Sequence, residues 1–461
     1  MPAYDPRKLA QSHRPIDPPQ RDDLPVPAGL TAHLLLGWLL LSMLCCQSLA
    51  AAPLDSLRLA SGFDMQVQRF DARGETLLLW LPSKYGIREG HQQFATQVQQ
   101  QGIDLWLVDL HASYLAPTGR YAFDEFDPTD IEELIGYAVK QGWSSIIVGG
   151  ESRGAGLAMQ AARQWQLRNP RQRVVKGLLF YHPYLIDGLP PLGEVARFRD
   201  IARETNLPMY IFQPQLNTKF LYSGTLLEQL QQGGSTVYFH TLHGVRGGYY
   251  LRDSDLLLEA EVEERDRVGQ RLRIAIERLI EQPTPPTAAP GIAAASPATE
   301  RSTDHDGSLA ELAARPAPPL RLTDAQGRLI DLVARRGEVV LVNYWASWCG
   351  PCVSEIASIQ RLSAHFDGQP FRVVAVNIGE TREQIADFFA MRDMAPDFDL
   401  LFDSDSSTAR DWHVYAIPSS FLLDRSGMIR YGYRGALKWD NPSVIATIEE
   451  LIAEPRLDVA Q

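Results

Sequence analysis

The stretch Val339-Val340-Leu341-Val342-Asn343-Tyr344-Trp345-Ala346-Ser347-Trp348-Cys349-Gly350-Pro351-Cys352 decides the fold of the second half of this chain. An apolar run typical of a buried strand leads directly into a Cys-x-x-Cys turn, which is a redox signature. Cys349 is expected in the first turn of a helix, where free backbone N–H groups and the helix dipole favour a thiolate. The pattern therefore predicts Cys349 as the nucleophile and Cys352, one turn later, as the thiol that resolves a mixed disulfide.

Cysteine usage in the rest of the chain favours the same interpretation. The 461 residues contain four cysteines, and the other two, Cys45 and Cys46, fall in an N-terminal apolar segment. A framework of structural disulfides is therefore excluded. A zinc site would need two further Cys or His ligands at suitable spacing, and downstream of the pair only the isolated His365 and His413 are available. The sequence predicts a redox pair, with no metal and no cofactor.

The N-terminus predicts export. No charged residue occurs between Asp23 and Asp55, the apolar core 34–44 has the length of a signal-peptide h-region, and small residues follow at 48–52. Residues 30–52 are also nearly long enough for an uncleaved membrane anchor, so both alternatives stay open for residues 1–52. We expect a protein of the periplasm or of the periplasmic face of the inner membrane. The formal net charge of −12 argues against nucleic acid as a partner.

The rest of the sequence divides into two domains. Residues 282–315 are rich in Pro and Ala and predict a semi-extended linker. Before it, in residues 53–281, strands alternate with helices as in a doubly wound parallel α/β sheet, with a last strand at 236–241 and one long closing helix at 255–281. After it, residues 316–461 predict a mixed-sheet domain that begins with a hairpin at 321–332 and ends with the helix Pro442–Ala453.

Several separated motifs of the second domain point to one family. They are 341–352, Val376-Asn377-Ile378-Gly379-Glu380, Ala416-Ile417-Pro418-Ser419-Ser420-Phe421-Leu422-Leu423-Asp424, and Gly435 with Trp439. In this combination the domain resembles the TlpA-like thiol-disulfide reductases of the thioredoxin superfamily, which include ResA and CcmG. The resemblance implies a thioredoxin-like fold and a pair that works reduced, donating electrons to disulfide-containing exported proteins. A membrane electron donor would then restore the dithiol, although the motif alone does not fix the direction.

The resemblance also assigns roles to single residues. Pro418 matches the cis-proline that faces the cysteine pair, and Asn343 stands where thioredoxin itself has a buried Asp. Glu380 matches an acid near the disulfide that could take the proton of Cys352, or else it caps the helix beginning at Arg382. Glu355 matches another common family residue, with a solvated helix side chain as the equal alternative.

The first domain contains a second candidate site. Gly150-Glu151-Ser152-Arg153-Gly154 follows an apolar strand and opens a helix, which is the context of a nucleophile elbow. Residues 57–280 thus resemble the α/β-hydrolase fold, which implies Ser152 as nucleophile and His243, after the last strand, as base. Asp187 is a possible acid, and the backbone N–H groups of Ser83 or Lys84 with Arg153 are candidate oxyanion donors.

Three functions are compatible with these motifs. The main prediction is an exported thiol-disulfide oxidoreductase that acts through Cys349 and Cys352. The second is a periplasmic serine esterase with an accessory redox domain. In the third, the hydrolase-like domain is a non-catalytic module that recruits a client, and the flexible linker carries the redox domain to it.

Overall fold

A computed structural model describes residues 54–119, 122–291 and 308–455. The predicted signal segment lies outside these ranges. The described residues fall in one compact unit. Within them, no helix combines the length and apolarity that a membrane crossing requires.

The first sheet of the described chain has eight strands in the order β1-β2-β4-β3-β5-β6-β7-β8. Strands β3 to β8 are parallel, and β2 is antiparallel to both of its neighbours. The strands are β1 Leu54–Arg58, β2 Asp64–Phe70, β3 Thr76–Leu81, β4 Asp104–Val108, β5 Ser145–Glu151, β6 Val175–Tyr181, β7 Met209–Leu216 and β8 Val237–Arg246. Their central members are almost entirely buried because helices cover both faces, as a parallel sheet requires.

Helices of the first domain bury apolar stripes on the two faces of this sheet. They are α1 Gly90–Gln99, α2 Leu110–Ser113, α3 Pro128–Lys140, α4 Gly154–Arg168, α5 Ser223–Gln232, α6 Glu259–Asp266 and α7 Val268–Ile280. One core cluster unites the sheet with α3, α4 and α5, and another unites it with α1 and α7. The single closing helix predicted at 255–281 is instead two helices, because the backbone breaks at Arg267 (φ −96°, ψ −2°).

The second sheet of the described chain has six strands in the order β14-β13-β12-β15-β16-β9. Strands β12, β13 and β14 are parallel, and β15, β16 and β9 add antiparallel pairs. The strands are β9 Ala310–Pro316, β12 Val339–Trp345, β13 Phe371–Ile378, β14 Asp399–Asp403, β15 Ser419–Leu423 and β16 Met428–Arg434. The predicted hairpin is present as β10 Arg321–Thr323 and β11 Leu329–Asp331.

Successive side chains of β12 lie on opposite faces of this sheet. The helices of this domain are α8 Gly350–His365, α9 Arg382–Ala390, α10 Ser407–Asp411 and α11 Pro442–Ala453. Val339 and Leu341 belong to the core cluster of α8 and α11, whereas Val340 and Val342 belong to that of α9. The mixed sheet with helices on both faces is thioredoxin-like, and the final helix has the bounds that the sequence predicts.

The segment predicted as a linker, 282–315, is partly structured. Residues 282–291 lie against the first domain, where Arg163 and Asn206 donate hydrogen bonds to the carbonyl groups of Ala289 and Thr287. Strand β9 then begins at Ala310, within the predicted linker, and forms the edge of the second sheet. Residues 292–307 lie outside the described ranges.

A loop of the first domain is embedded in the second. Leu192, 7% exposed, belongs to the second domain's core cluster, and a Cβ on Gly432 of β16 would lie 2.4 Å from its Cδ2. Arg315 and Arg434 donate hydrogen bonds of 2.8 Å to the carbonyl groups of Leu192 and Pro190. The two domains therefore have a fixed contact of apolar packing and hydrogen bonds.

Candidate functional site

The cysteine pair lies where β12 passes into α8. Cys349 is the residue before the helix and Cys352 lies in its first turn, with the two joined as a disulfide and their Cα atoms 5.3 Å apart. The backbone N–H of Cys352 donates to Cys349 Sγ at 3.2 Å, an interaction that favours negative charge on this sulfur. Cys349 retains 7% exposure whereas Cys352 has none. Cys349 is therefore the sulfur that a partner can reach.

The loop before β15 faces this sulfur. The Ile417–Pro418 peptide bond is cis, and Cys349 Sγ lies 3.7 Å from the carbonyl oxygen of Ile417. Ser419 Oγ donates to the carbonyl of Ala416 at 2.7 Å and fixes the turn. Pro418 lacks an N–H group, so the backbone beside the sulfur presents carbonyl acceptors to an incoming segment.

Glu380 supports the loop that carries the cysteines. It is 5% exposed, and its Oε2 accepts 2.8 Å hydrogen bonds from the backbone N–H of Ser347 and from Asn377 Nδ2. Its Oε1 accepts from Ser347 Oγ. The cap of α9 is provided by Thr381, whose side chain accepts from the backbone N–H of Gln384. Glu380 thus contacts the segment before Cys349 and is not the helix cap.

Glu355 is buried one helical turn after Cys352 and is not a solvated side chain. It is 2% exposed and accepts hydrogen bonds from Asn343 Nδ2 at 2.8 Å and from the backbone N–H of Leu437 and Trp439 Nε1, both at 3.0 Å. Burial raises the pKa of Glu355 to about 7, although these three hydrogen bonds favour the carboxylate.

The sequence carried a signal for this burial. The buried side chains of α8 include Cys352, Glu355, Ile356 and Ile359, which recur at the spacing of one helix face. A carboxylate within such an apolar stripe lies on the buried side, one turn after Cys352. The Asn343 amide does not titrate, so the Glu355 carboxyl is the group of this buried pair that can bind a proton.

A second polar cluster lies at the carboxyl ends of β5, β6 and β7. Ser152 follows β5 and adopts φ +52°, a left-handed conformation that is strained for a serine. The turn requires small neighbours: a Cβ on Gly150 or Gly154 would lie 2.6 or 2.5 Å from the carbonyl oxygen of Leu81. Ser152 thus occupies a tight strand-to-helix turn at the start of α4.

Two residues outside the predicted motifs, Lys219 and His182, complete this cluster. Lys219 Nζ, in the turn after β7, lies 3.0 Å from Ser152 Oγ and 3.1 Å from Nδ1 of His182, the residue after β6. Burial lowers the pKa of Lys219 to about 7 and the pKa of His182 to about 3. No local motif marks these residues. Only the strand order, which aligns the ends of three neighbouring strands, brings them together.

The other predicted members of this site lie elsewhere. Strand β8 continues to Arg246, so His243 is an exposed residue within the strand and not part of a loop beyond it. Asp187 lies 3.8 Å from Arg197 and lines a different cavity. The backbone N–H of Ser83 donates to Glu151 Oε1 at 3.1 Å, which leaves Lys84 and Arg153 as the candidate oxyanion donors. In the described chain, no cluster of three or more His, Cys, Asp or Glu residues is arranged for a metal.

Comparison with known proteins gives matches in the second domain. Residues 313–432 match the AhpC/TSA family. The thiol-disulfide oxidoreductase ResA of Bacillus subtilis is 31% identical over 113 residues, which cover 24% of this chain and 62% of ResA. The thiol:disulfide interchange protein DsbE of Escherichia coli is 35% identical over 137 residues, which cover 29% of this chain and 69% of DsbE. A solved structure of DsbE from Chlorobium tepidum has a TM-score of 0.29 at 29% identity, covering 32% of this chain and 100% of that chain.

Proposed function

The chain belongs to the thiol-disulfide oxidoreductases through its second domain, and on that premise we propose that it is exported and reduces disulfide bonds of cell-envelope proteins. The observation that carries the proposal is the difference between the two sulfurs. Cys349 keeps a small exposed fraction of 7% and lies at a helix start beside Ile417, whereas Cys352 is fully buried. This arrangement suits a nucleophile and a resolving thiol, respectively.

The proposed reaction is a two-step thiol-disulfide exchange. The Cys349 thiolate attacks one sulfur of the client disulfide, forming a mixed disulfide and releasing the other client sulfur as a thiolate. The Cys352 thiol loses its proton and attacks Cys349 Sγ, which releases the second client sulfur. The client leaves as a dithiol and the Cys349–Cys352 disulfide remains. A membrane electron donor then reduces this disulfide in the oxidising compartment.

Two carboxyl groups assist these steps. Glu355 accepts the proton of Cys352, since it is buried one helical turn away on the same face of α8 and its pKa is raised to about 7. Glu380 holds Ser347 and thereby positions Cys349. Pro418 leaves the neighbouring carbonyl groups free to pair with an extended client segment.

The N-terminal segment supports export. Its uncharged stretch between Asp23 and Asp55 has the composition of a signal peptide or an anchor. A fusion of residues 1–60 to a reporter active only outside the cytoplasm tests this. We expect reporter activity from this fusion, and the same fusion with Leu39→Arg and Leu40→Arg should be inactive.

A turbidimetric insulin-reduction assay tests the chemistry. A chain carrying Cys45→Ser and Cys46→Ser is the matched control and should retain full activity. Adding Cys349→Ser to that control should abolish reduction. Full activity of this triple variant would remove Cys349 from the mechanism.

We further infer that the first domain is an α/β-hydrolase-like fold. The sheet of mainly parallel strands and the strained turn at Ser152 between β5 and α4 support this inference. Of the two roles left open for this domain, recruitment by a swinging linker is disfavoured by the embedded Leu192 loop.

A further inference from the structure

A cavity of about 440 Å³ opens beside Ser152. It is lined by residues at or after the ends of β3, β5, β6, β7 and β8, and on one side by Tyr415 and Ala416 of the second domain. Those two residues directly precede Ile417 and Pro418 at the redox pair. The Tyr415 hydroxyl accepts a 3.0 Å hydrogen bond from the backbone N–H of Ala196, which ties this wall to the first domain.

Lys219 is oriented for proton transfer. His182 is 6% exposed and its Nε2 has no hydrogen-bond partner in the described part of the chain, whereas its Nδ1 lies 3.1 Å from Lys219 Nζ. Burial lowers the pKa of His182 to about 3, so its ring is neutral, and in the tautomer with the proton on Nε2 its Nδ1 accepts a hydrogen bond from Lys219. Lys219 Nζ donates to Ser152 Oγ at 3.0 Å, and once Lys219 is neutral the lone pair of its amine is within reach of the Ser152 proton.

Charge in the cavity indicates the class of ligand. Four cationic side chains line it besides Lys219, namely Lys84, Arg88, Arg153 and Arg252. Among the described residues none of the four forms an ion pair; Arg153 stacks on Tyr184, and Lys84 lies over Tyr85. The one acid lining the cavity, Glu151, is buried and accepts from Tyr250 and from the Ser83 N–H. Cations without anionic partners favour a negatively charged ligand.

We propose that Ser152 and Lys219 form a nucleophile–base pair that hydrolyses carboxylic esters carrying an anionic group. The activity goes beyond thiol-disulfide exchange and uses none of the redox residues as reactants. His182 is a positioning residue, because it acts through Lys219. His243 has no part in the reaction.

The reaction passes through an acyl-enzyme. Lys219 takes the Ser152 proton as Ser152 Oγ attacks the ester carbonyl, and the N–H groups of Lys84 and Arg153 stabilise the oxyanion. The carbon–oxygen bond to the alcohol then breaks, and Lys219 returns the proton to the leaving alkoxide. Lys219 next takes a proton from water, whose oxygen attacks the acyl carbon. The carboxylic acid leaves and Ser152 recovers its proton.

The test measures hydrolysis of two probes by the purified full-length chain. 4-Nitrophenyl hydrogen glutarate carries a carboxylate, and 4-nitrophenyl pentanoate is a neutral ester of equal acyl length. We expect a higher kcat/KM for the anionic probe, with a rise in rate through about pH 7 as Lys219 loses its proton. Ser152→Ala and Lys219→Met should each lower kcat/KM by roughly 1000-fold, and His243→Ala should leave it unchanged.

Two further measurements separate the possible failures. A fluorophosphonate probe should label wild-type chain at Ser152 and leave Ser152→Ala unlabelled. Cys349→Ser should hydrolyse the anionic probe normally, so loss of redox chemistry and loss of ester hydrolysis are distinguishable. Insulin reduction at the wild-type rate shows that the second domain of Lys219→Met is folded, and an unchanged midpoint of urea unfolding shows that the first domain is folded too.

Several results would overturn the proposal. These are no labelling of Ser152 in the wild-type chain, no hydrolysis of either probe, or loss of hydrolysis in His243→Ala but not in Lys219→Met. Equal kcat/KM for the two probes would overturn the anionic specificity. Arg88→Gln should raise KM for the glutarate probe alone. An equal rise of KM for both probes would also contradict the anionic specificity.

Discussion

Asn343 Nδ2 donates a buried 2.8 Å hydrogen bond to Oε1 of Glu355, which lies one helical turn after Cys352. Asn343 also donates to Ser420 Oγ at 2.9 Å, so the amide links the central strand β12 to both α8 and β15. Asn343 itself cannot titrate, so Glu355, one turn after Cys352, is the acid of this buried pair.

Glu355 should make the second chemical step depend on pH. Its pKa of about 7 means that the carboxylate, which is the proton acceptor, predominates only above that pH. We expect the rate of mixed-disulfide resolution to rise through pH 7 in the wild-type chain and to lose this inflection in Glu355→Gln. Stopped-flow reduction of a fluorescent disulfide peptide measures both. An unchanged inflection in the variant would assign it to another group.

Glu355 should also make stability depend on pH. Its pKa is raised in the folded chain from about 4.5, so the folded state binds this proton more tightly than the unfolded state. The stabilisation is present below pH 4.5 and is lost as the pH rises to 7. Glu355→Gln should therefore gain up to about 3 kcal/mol relative to wild type between pH 4.5 and pH 8.

Urea unfolding at pH 4.5 and pH 8 checks this gain. Glu449→Gln, on the exposed face of α11, is the matched control and should follow the wild type at both values. If Glu355→Gln also follows the wild type, the buried carboxyl does not retain its proton.

Glu380 should act by holding Ser347 and the segment before Cys349 in place, and not by transferring a proton. In Glu380→Gln one oxygen can still accept from the Ser347 N–H and Asn377, and the amide can donate to Ser347 Oγ. We expect near wild-type insulin reduction from this variant. Glu380→Ala should lose roughly tenfold or more, because the segment before Cys349 is released. Equal losses in both variants would instead assign Glu380 the proton of Cys352.

The embedded loop should couple the unfolding of the two domains. Leu192→Asp buries a charge in the second domain's core cluster and should cost several kcal/mol. Calorimetry should then resolve two transitions where the wild type has one. Leu167→Asp changes a side chain that is 55% exposed and should keep the single transition. A single transition in both variants would show that the loop does not hold the domains together.

The sequence predicted what local patterns determine. Three predicted elements have a clear apolar pattern or a turn signal in their sequence, and the structure contains all of them. They are the strand before Cys349, the hairpin of β10 and β11, and the helix α11. The edge strands β1 and β9 were not predicted, because their residues are mostly exposed and carry no clear apolar alternation.

The site residues, too, were predictable only where a local sequence pattern marks them. The cysteines and Pro418 lie in contiguous motifs, whereas Glu355 depends on which helix face is buried. His243 was selected because the last strand was expected to end at 241, but β8 continues to Arg246. Lys219 approaches Ser152 only through the order of β5, β6 and β7, which no contiguous segment encodes.

The central claim is that Cys349 attacks and Cys352 resolves. The most direct measurement compares two variants, Cys352→Ser and Cys349→Ser, each of which also carries Cys45→Ser and Cys46→Ser. Each reduced chain is incubated with two peptides joined by one disulfide, and its intact mass is then measured. Cys352→Ser should accumulate a mixed disulfide with one of the peptides bound at Cys349, and Cys349→Ser should form none. A mixed disulfide in Cys349→Ser with none in Cys352→Ser would contradict the assignment.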